Sequence, residues 1–93
     1  QTKQFTKAVD FFTKALQINS NNPACYSNLG VALKELKLLE KALFNYEKAI
    51  NIKPDFAEAY SNRGVVLQEL GRLDEALASC EKAIYIKSGG GNA

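Results

Sequence analysis

Two asparagines, Asn28 and Asn62, stand 34 residues apart in the same tripeptide, at Tyr26 to Asn28 and Tyr60 to Asn62. A carboxamide carries both donor and acceptor, so it can pair with a peptide bond in both directions whatever side chain follows. Asparagines spaced one period apart could therefore hold an extended peptide by its backbone. The alternative is that each bonds to an adjacent helix of its own chain and stiffens the stack. Duplication of a unit accounts for much of the recurrence, although exposed residues need not survive duplication as core residues must.

Other chemistries lack their parts. The 93 residues include no histidine, so neither a Ser-His-Asp nor a Cys-His arrangement has its base. Cys25 and Cys80 lie far apart within apolar patterns and read as two buried free thiols rather than a disulfide or a metal pair. They favour a reducing, cytoplasmic setting. Gly89 to Gly91 follow a helix instead of opening one, which is the wrong order for a phosphate loop. Asp74 and Glu75 fall at a helix start, where the helix dipole accounts for them. The expectation is a chain that is not an enzyme and needs no cofactor or metal.

Charge narrows the partners. The net charge is +2, with Lys and Arg alternating with Glu along the helices rather than gathering on one face, so nucleic acid is not an expected partner. No apolar run nears the roughly 20 residues of a membrane span, and this stretch shows no signal peptide. A chain of this length makes one domain with a modest core.

The elements that must position Asn28 and Asn62 follow from the same period. Gly30 and Gly64, Leu33 and Leu67, Ala42 and Ala76, and Ala49 and Ala83 are all 34 apart. Such a period marks stacked supersecondary units, each completed only by its neighbours. Apolar residues at three- and four-residue steps predict helices over roughly 4–19, 23–36, 39–52, 57–70 and 73–87. Asn22-Pro23 reads as a cap with proline at the first helical position. Asp55 with Glu58 reads as a capping box. Gly71 ends its helix in a left-handed turn, and Lys37 holds the equivalent place. Gly30 and Gly64 are expected to face Ala42 and Ala76 across each hairpin. Tyr26, Tyr60, Tyr46 and Phe12 are expected to fill the space between hairpins.

The series Tyr26, Leu29-Gly30, Leu33, Ala42, Tyr46, Ala49, Pro54 resembles the tetratricopeptide repeat. Tyr60, Gly64, Leu67, Ala76 and Ala83 continue it, with departures at Arg63, Cys80 and Ser88. The resemblance implies an all-α, right-handed superhelical solenoid of antiparallel hairpins with five helices. It covers 1–88, as a half repeat over 1–22 and full repeats over 23–56 and 57–88, with 89–93 a disordered Gly-rich tail. It implies a protein-interaction scaffold whose concave groove takes an extended peptide or a partner helix. The lining would be Ser27, Asn28, Val31, Lys34 and Glu35, then Ser61, Asn62, Val65, Gln68 and Glu69.

The phrases AEAYSNRG and IKPDFAEAY are similar to the repeat arm of O-linked N-acetylglucosamine transferases, which carries an asparagine ladder. That resemblance implies, as an alternative, a substrate-recruiting arm of a glycosyltransferase. The family's carboxylate clamp for chaperone tails is not expected, because Ser27 and Val31 occupy places where it needs basic and polar groups. Arg63 reads as an aliphatic stem with a solvated head. A third reading concerns the ends. The chain starts in mid-unit, and Leu77, Ile84 and Tyr85 are expected to face outward, so end-to-end self-association into a homo-oligomer is an alternative.

Overall fold

The structure, a computed structural model, describes residues 2–90. Its helices are α1 (Thr2–Ile18), α2 (Pro23–Glu35), α3 (Leu39–Ile52), α4 (Ala57–Glu69) and α5 (Leu73–Lys87), with no strand among the described residues. Each element therefore lies within two residues of where the periodicity places it.

Capping explains most of the boundaries. Asn22 Oδ1 accepts from the Cys25 amide at 3.1 Å, and Pro23 occupies the first turn, where an N–H would have no partner. α2 stops because Lys37 turns left-handed, with φ 65°. The Leu38 amide then reaches back to the Leu33 carbonyl at 2.9 Å. One period on, Gly71 takes φ 78° and the Arg72 amide bonds the Leu67 carbonyl at 2.9 Å, the same closure.

α4 differs from expectation. Its cap is Phe56, which makes no side-chain cap bond, and Asp55 is not part of the helix start. The Ala59 and Tyr60 amides both reach the Phe56 carbonyl, while the Asp55 carboxylate stands 3.9 Å from Lys53 Nζ. Phe56 lies one period after Asn22, so the stacking register overrode the local Asp-Glu motif.

The chain's tail also differs in part. The Ser88 and Gly89 amides bond Ile84 and Ile86, Gly89 takes φ 89°, and the Gly90 backbone folds against the Tyr85 ring. Residues 91–93 of the expected disordered tail lie outside the described residues.

α1 packs on α2, α2 on α3, α3 on α4 and α4 on α5. α2 and α4 also touch each other, whereas α1, α3 and α5 do not among the described residues. The two-layer stack therefore closes toward α2 and α4, which form its inner layer. Leu29, Leu33, Ala42, Leu43, Tyr46, Val66, Leu67 and Ala76 make the buried core, with Phe12, Val9 and Leu16 of α1 packed against it.

Tyr46 sits at the centre of that core. It is fully buried, and its ring covers Gly30 so closely that a Cβ added there would stand 2.5 Å from Cε1. Gly30 therefore makes room for Tyr46, one helical turn beyond the Ala42 expected from sequence. Gly64 does meet Ala76, through its carbonyl oxygen, but its nearest neighbour is the sulfur of Cys80, which holds the Tyr46 column. Tyr26 and Tyr60 are only half-buried and lie outside the core cluster. The Lys48 ammonium stands 5.9 Å from the Tyr26 ring.

The Tyr46 hydroxyl has no hydrogen-bond partner although it is buried. Burial, and then the carboxylates of Glu35, Glu58 and Glu69, push its pKa well above the usual phenol value. An unsatisfied buried hydroxyl costs about 1–3 kcal/mol. Tyr46→Phe should therefore match or exceed the parent in stability, while Tyr46→Ala should lose about 3–5 kcal/mol. Because the folded pKa is raised, the parent is fully stable below the unfolded phenol pKa of roughly 10 and weakens as pH rises beyond it. Tyr46→Phe should flatten that alkaline limb, measured by urea melts between pH 8 and 11.

Gly30→Ala drives a methyl into the ring and should cost about 1–3 kcal/mol despite alanine's better helix propensity. Lys37→Gly relieves a left-handed backbone and should gain about 0.5–1 kcal/mol in the same melts, since the 3.8 Å Lys37–Glu69 pair it gives up is mostly exposed.

Candidate concave site

α2 and α4 carry the same tripeptide in the same register, and both belong to the inner layer. Asn28 is exposed and Asn62 half-buried. Neither carboxamide bonds another described residue, although Asn45 on α3 shows what a structural asparagine does here, donating to the Lys41 carbonyl at 2.8 Å. The helix-stiffening alternative thus has no bond to support it.

The other expected lining residues divide. Val31, Lys34 and Ser61 are half-buried, and Glu35, Val65, Gln68 and Glu69 are exposed. Ser27 is different: it is 3% exposed and so closed to a ligand. α2 is followed by a second inner helix, α4, whereas no inner helix follows α4 among the described residues, and its Ser61 stays half-open.

The charges are partly internal. Lys34 Nζ lies 3.6 Å from Glu35, and Lys37 Nζ lies 3.8 Å from Glu69. Glu58 has no cationic partner within 4.0 Å among the described residues.

Arg63 corrects the sequence reading. Its head is not free in solvent. Nε and Nη2 both donate to Glu47 Oε2 at 3.3 Å, and Nη1 donates to Ser79 Oγ at 3.4 Å. Ser79 in turn donates to the Tyr60 carbonyl at 2.9 Å. The signal was present in the columns: Leu29, Thr13 and Asn45 stand one period before Arg63, Glu47 and Ser79, so all three changed together.

Sequence reading also missed an open apolar cavity of about 200 Å3 beside Asn28, lined by Phe5, Ala8 and Phe12 of α1 with Val31 and Ala32 of α2. The half-unit character of α1 was the clue to it.

Cys25 and Cys80 are both free, Cys25 buried and Cys80 half-buried. Burial raises the Cys25 pKa, and its Sγ lies 3.6 Å from the Phe12 carbonyl, so it is held as a thiol. Among the described residues, no group of three His, Cys, Asp or Glu comes together as metal ligands. No helix among them is long and apolar enough to cross a membrane.

Comparison with known proteins places this geometry. Family profiles described as TPR repeat match residues 33–71, and two described as tetratricopeptide repeat match 11–44 and 57–89. The TPR domain of Arabidopsis OM64 is 34% identical, with a TM-score of 0.90 over 92% of this chain and 71% of that one. The first TPR of Spaghetti (RPAP3), solved with the HSP90 peptide SRMEEVD, is 26% identical, with a TM-score of 0.90 over 92% of this chain and 68% of that one. MamA is 29% identical, with a TM-score of 0.89 over 97% of this chain. The chain spans 53% of that protein's solved length. No curated protein matches by sequence. The 34-residue register, the paired helices and these matches agree: the chain belongs to the tetratricopeptide repeat family.

Proposed function

We propose that the chain is a protein-interaction module that holds an extended peptide along the face formed by α2 and α4. The observation that carries this is the pair of unbonded carboxamides, Asn28 and Asn62, at one position of consecutive inner helices. Packed helices lie about 8–10 Å apart. An extended chain advances roughly 3.3–3.6 Å per residue. The two asparagines therefore match peptide units about three residues apart, and Val31 and Val65 offer apolar contact between them.

Backbone capture of this kind tolerates varied side chains. Glu35, Glu58 and Glu69 set the charge preference, which is for a neutral or basic segment over an acidic one. The acidic-tail peptide bound by the Spaghetti domain is thus a relative's ligand class that this face disfavours. The module has no chemistry of its own, and its two free thiols suit a reducing compartment.

The test is a fluorescence titration against an unstructured peptide library arranged by net charge. Binding should fall as peptides become acidic. Asn28→Ala/Asn62→Ala should weaken the best binder by about tenfold or more, for two lost bidentate contacts. Unchanged affinity in the double variant, with the helical spectrum intact, would remove the carboxamides from the site.

A further inference from the structure

The second binding surface lies on α1, away from the asparagine column. Its apolar residues are left open where their equivalents are sealed. Ala42, Tyr46 and Ala49 of α3 are all 0% exposed, yet Ala8, Phe12 and Ala15, one period earlier, are half-open. Phe11 and Ile18 are 66% and 89% exposed. What seals α3 is its hairpin partner α2, whose Gly30 lies beneath the Tyr46 ring with Leu29 and Leu33 beside it. On α5, Ser79 and Cys80 likewise meet the Tyr60 carbonyl and Gly64 of α4. The columns of Ser79 and Cys80 in α1 are Phe11 and Phe12, and α1 has no such partner among the described residues.

The vacant side is a continuous trough. One cavity, of about 460 Å3, is lined by Lys7, Asp10, Phe11, Lys14, Ala15 and Ile18. The other, of about 200 Å3, runs from Phe5, Ala8 and Phe12 onto Asn28, Val31 and Ala32 of α2. The trough thus reaches the inner layer on the side of α2 away from α4. A helix lying in it would touch α1 and α2 together, as α2 touches α3 and α4.

We propose that this trough is a docking seat for one further α-helix from another polypeptide. The helix carries glycine opposite Phe12, with leucine one residue before and three residues after, the pattern of Leu29, Gly30 and Leu33. The inference is independent of the asparagine column. Continuity with the α2–α3 interface specifies the occupant: an aromatic ring is accepted by the facing helix only where that helix has no side chain. A second folded copy of this chain cannot supply it, since α2 and α4 are already seated on α3 and α5. α5 exposes Leu73, Leu77 and Ile84, but it is an outer helix whose hairpin face is filled by Gly64, and it offers no glycine to Phe12.

The probe is a synthetic peptide copying Pro23 to Leu36 with Cys25→Ser, titrated by calorimetry into the 93-residue chain after sedimentation has set its oligomeric state. The expected result is saturable one-to-one binding, a gain in helical circular dichroism and a raised melting temperature of the chain. Gly30→Leu in the peptide should weaken binding about tenfold or more through overpacking against Phe12. Phe11→Asp in the chain, at an exposed position that leaves the fold intact, should also lose the peptide. Asn62→Ala should bind it unchanged, which separates this seat from the peptide face. A folded monomer that ignores the peptide, or that takes the Gly30→Leu peptide equally well, would overturn the proposal. So would a dimer unresponsive to the peptide, which would give the seat to a second copy.

Discussion

The structure depends on one missing side chain. Tyr46 enters the hairpin between α2 and α3 because Gly30 presents only backbone to its ring. With the ring seated, Leu29 and Leu33 close on α3, and Val66 and Leu67 of α4 join the same core. The separation of α2 from α4, and with it the spacing of Asn28 and Asn62, follows from what is packed beneath them. The recognition face is thus the outer surface of a packing solution, and it has no independent support.

The second unit solves the same problem with different residues. Cys80 replaces the ring, and the carbonyl of Ala76 comes within 3.2 Å of where a Gly64 Cβ would stand. The α4 helix carries Arg63 where α2 carries Leu29, and binds back to α3 through Glu47 and to α5 through Ser79. Leu29 is 7% exposed, whereas the Arg63–Glu47 pair is partly open to solvent. Such a pair adds little net stability. Its three-way geometry does favour one rotation of α4 relative to its neighbours, a specificity that leucine packing alone would leave looser.

The period of 34 made most of this legible. It located five helices to within two residues, because helix ends, glycines and small residues all recur on it. Where a local motif disagreed with the period, the period was the better guide: Asp55 and Glu58 look like a cap, but Phe56 holds the place of Asn22. Lys37 could be assigned its left-handed turn only because Gly71 shares its column.

What stayed hidden was the direction of side chains around the helix axis. Gly30 meets Tyr46 instead of Ala42, and Ser27 is buried while Ser61 is half-open, though each pair of candidates differs by a turn or sits in one column. A column fixes an offset along the chain. It does not fix which neighbour is present to cover it, and that depends on how many units stand on either side.

Dependence on neighbours also links the two surfaces. Asn28 and Val31 belong to the inner face and, at the same time, to the wall of the trough on α1. α2 meets α4 along its other side, and there the second asparagine, Asn62, is half-buried and Val66 fully covered. A helix seated on α1 would stand to Asn28 as α2 stands to Asn62. It would narrow the freedom of the Asn28 carboxamide and place its own inner-facing residue one step along the same column. The length of peptide that the face can hold is then set by how many inner helices are in place, each admitted only by a glycine beneath a ring. Peptide capture and helix docking are in this sense consequences of a single packing rule, applied once to a sealed interface and once to an open one.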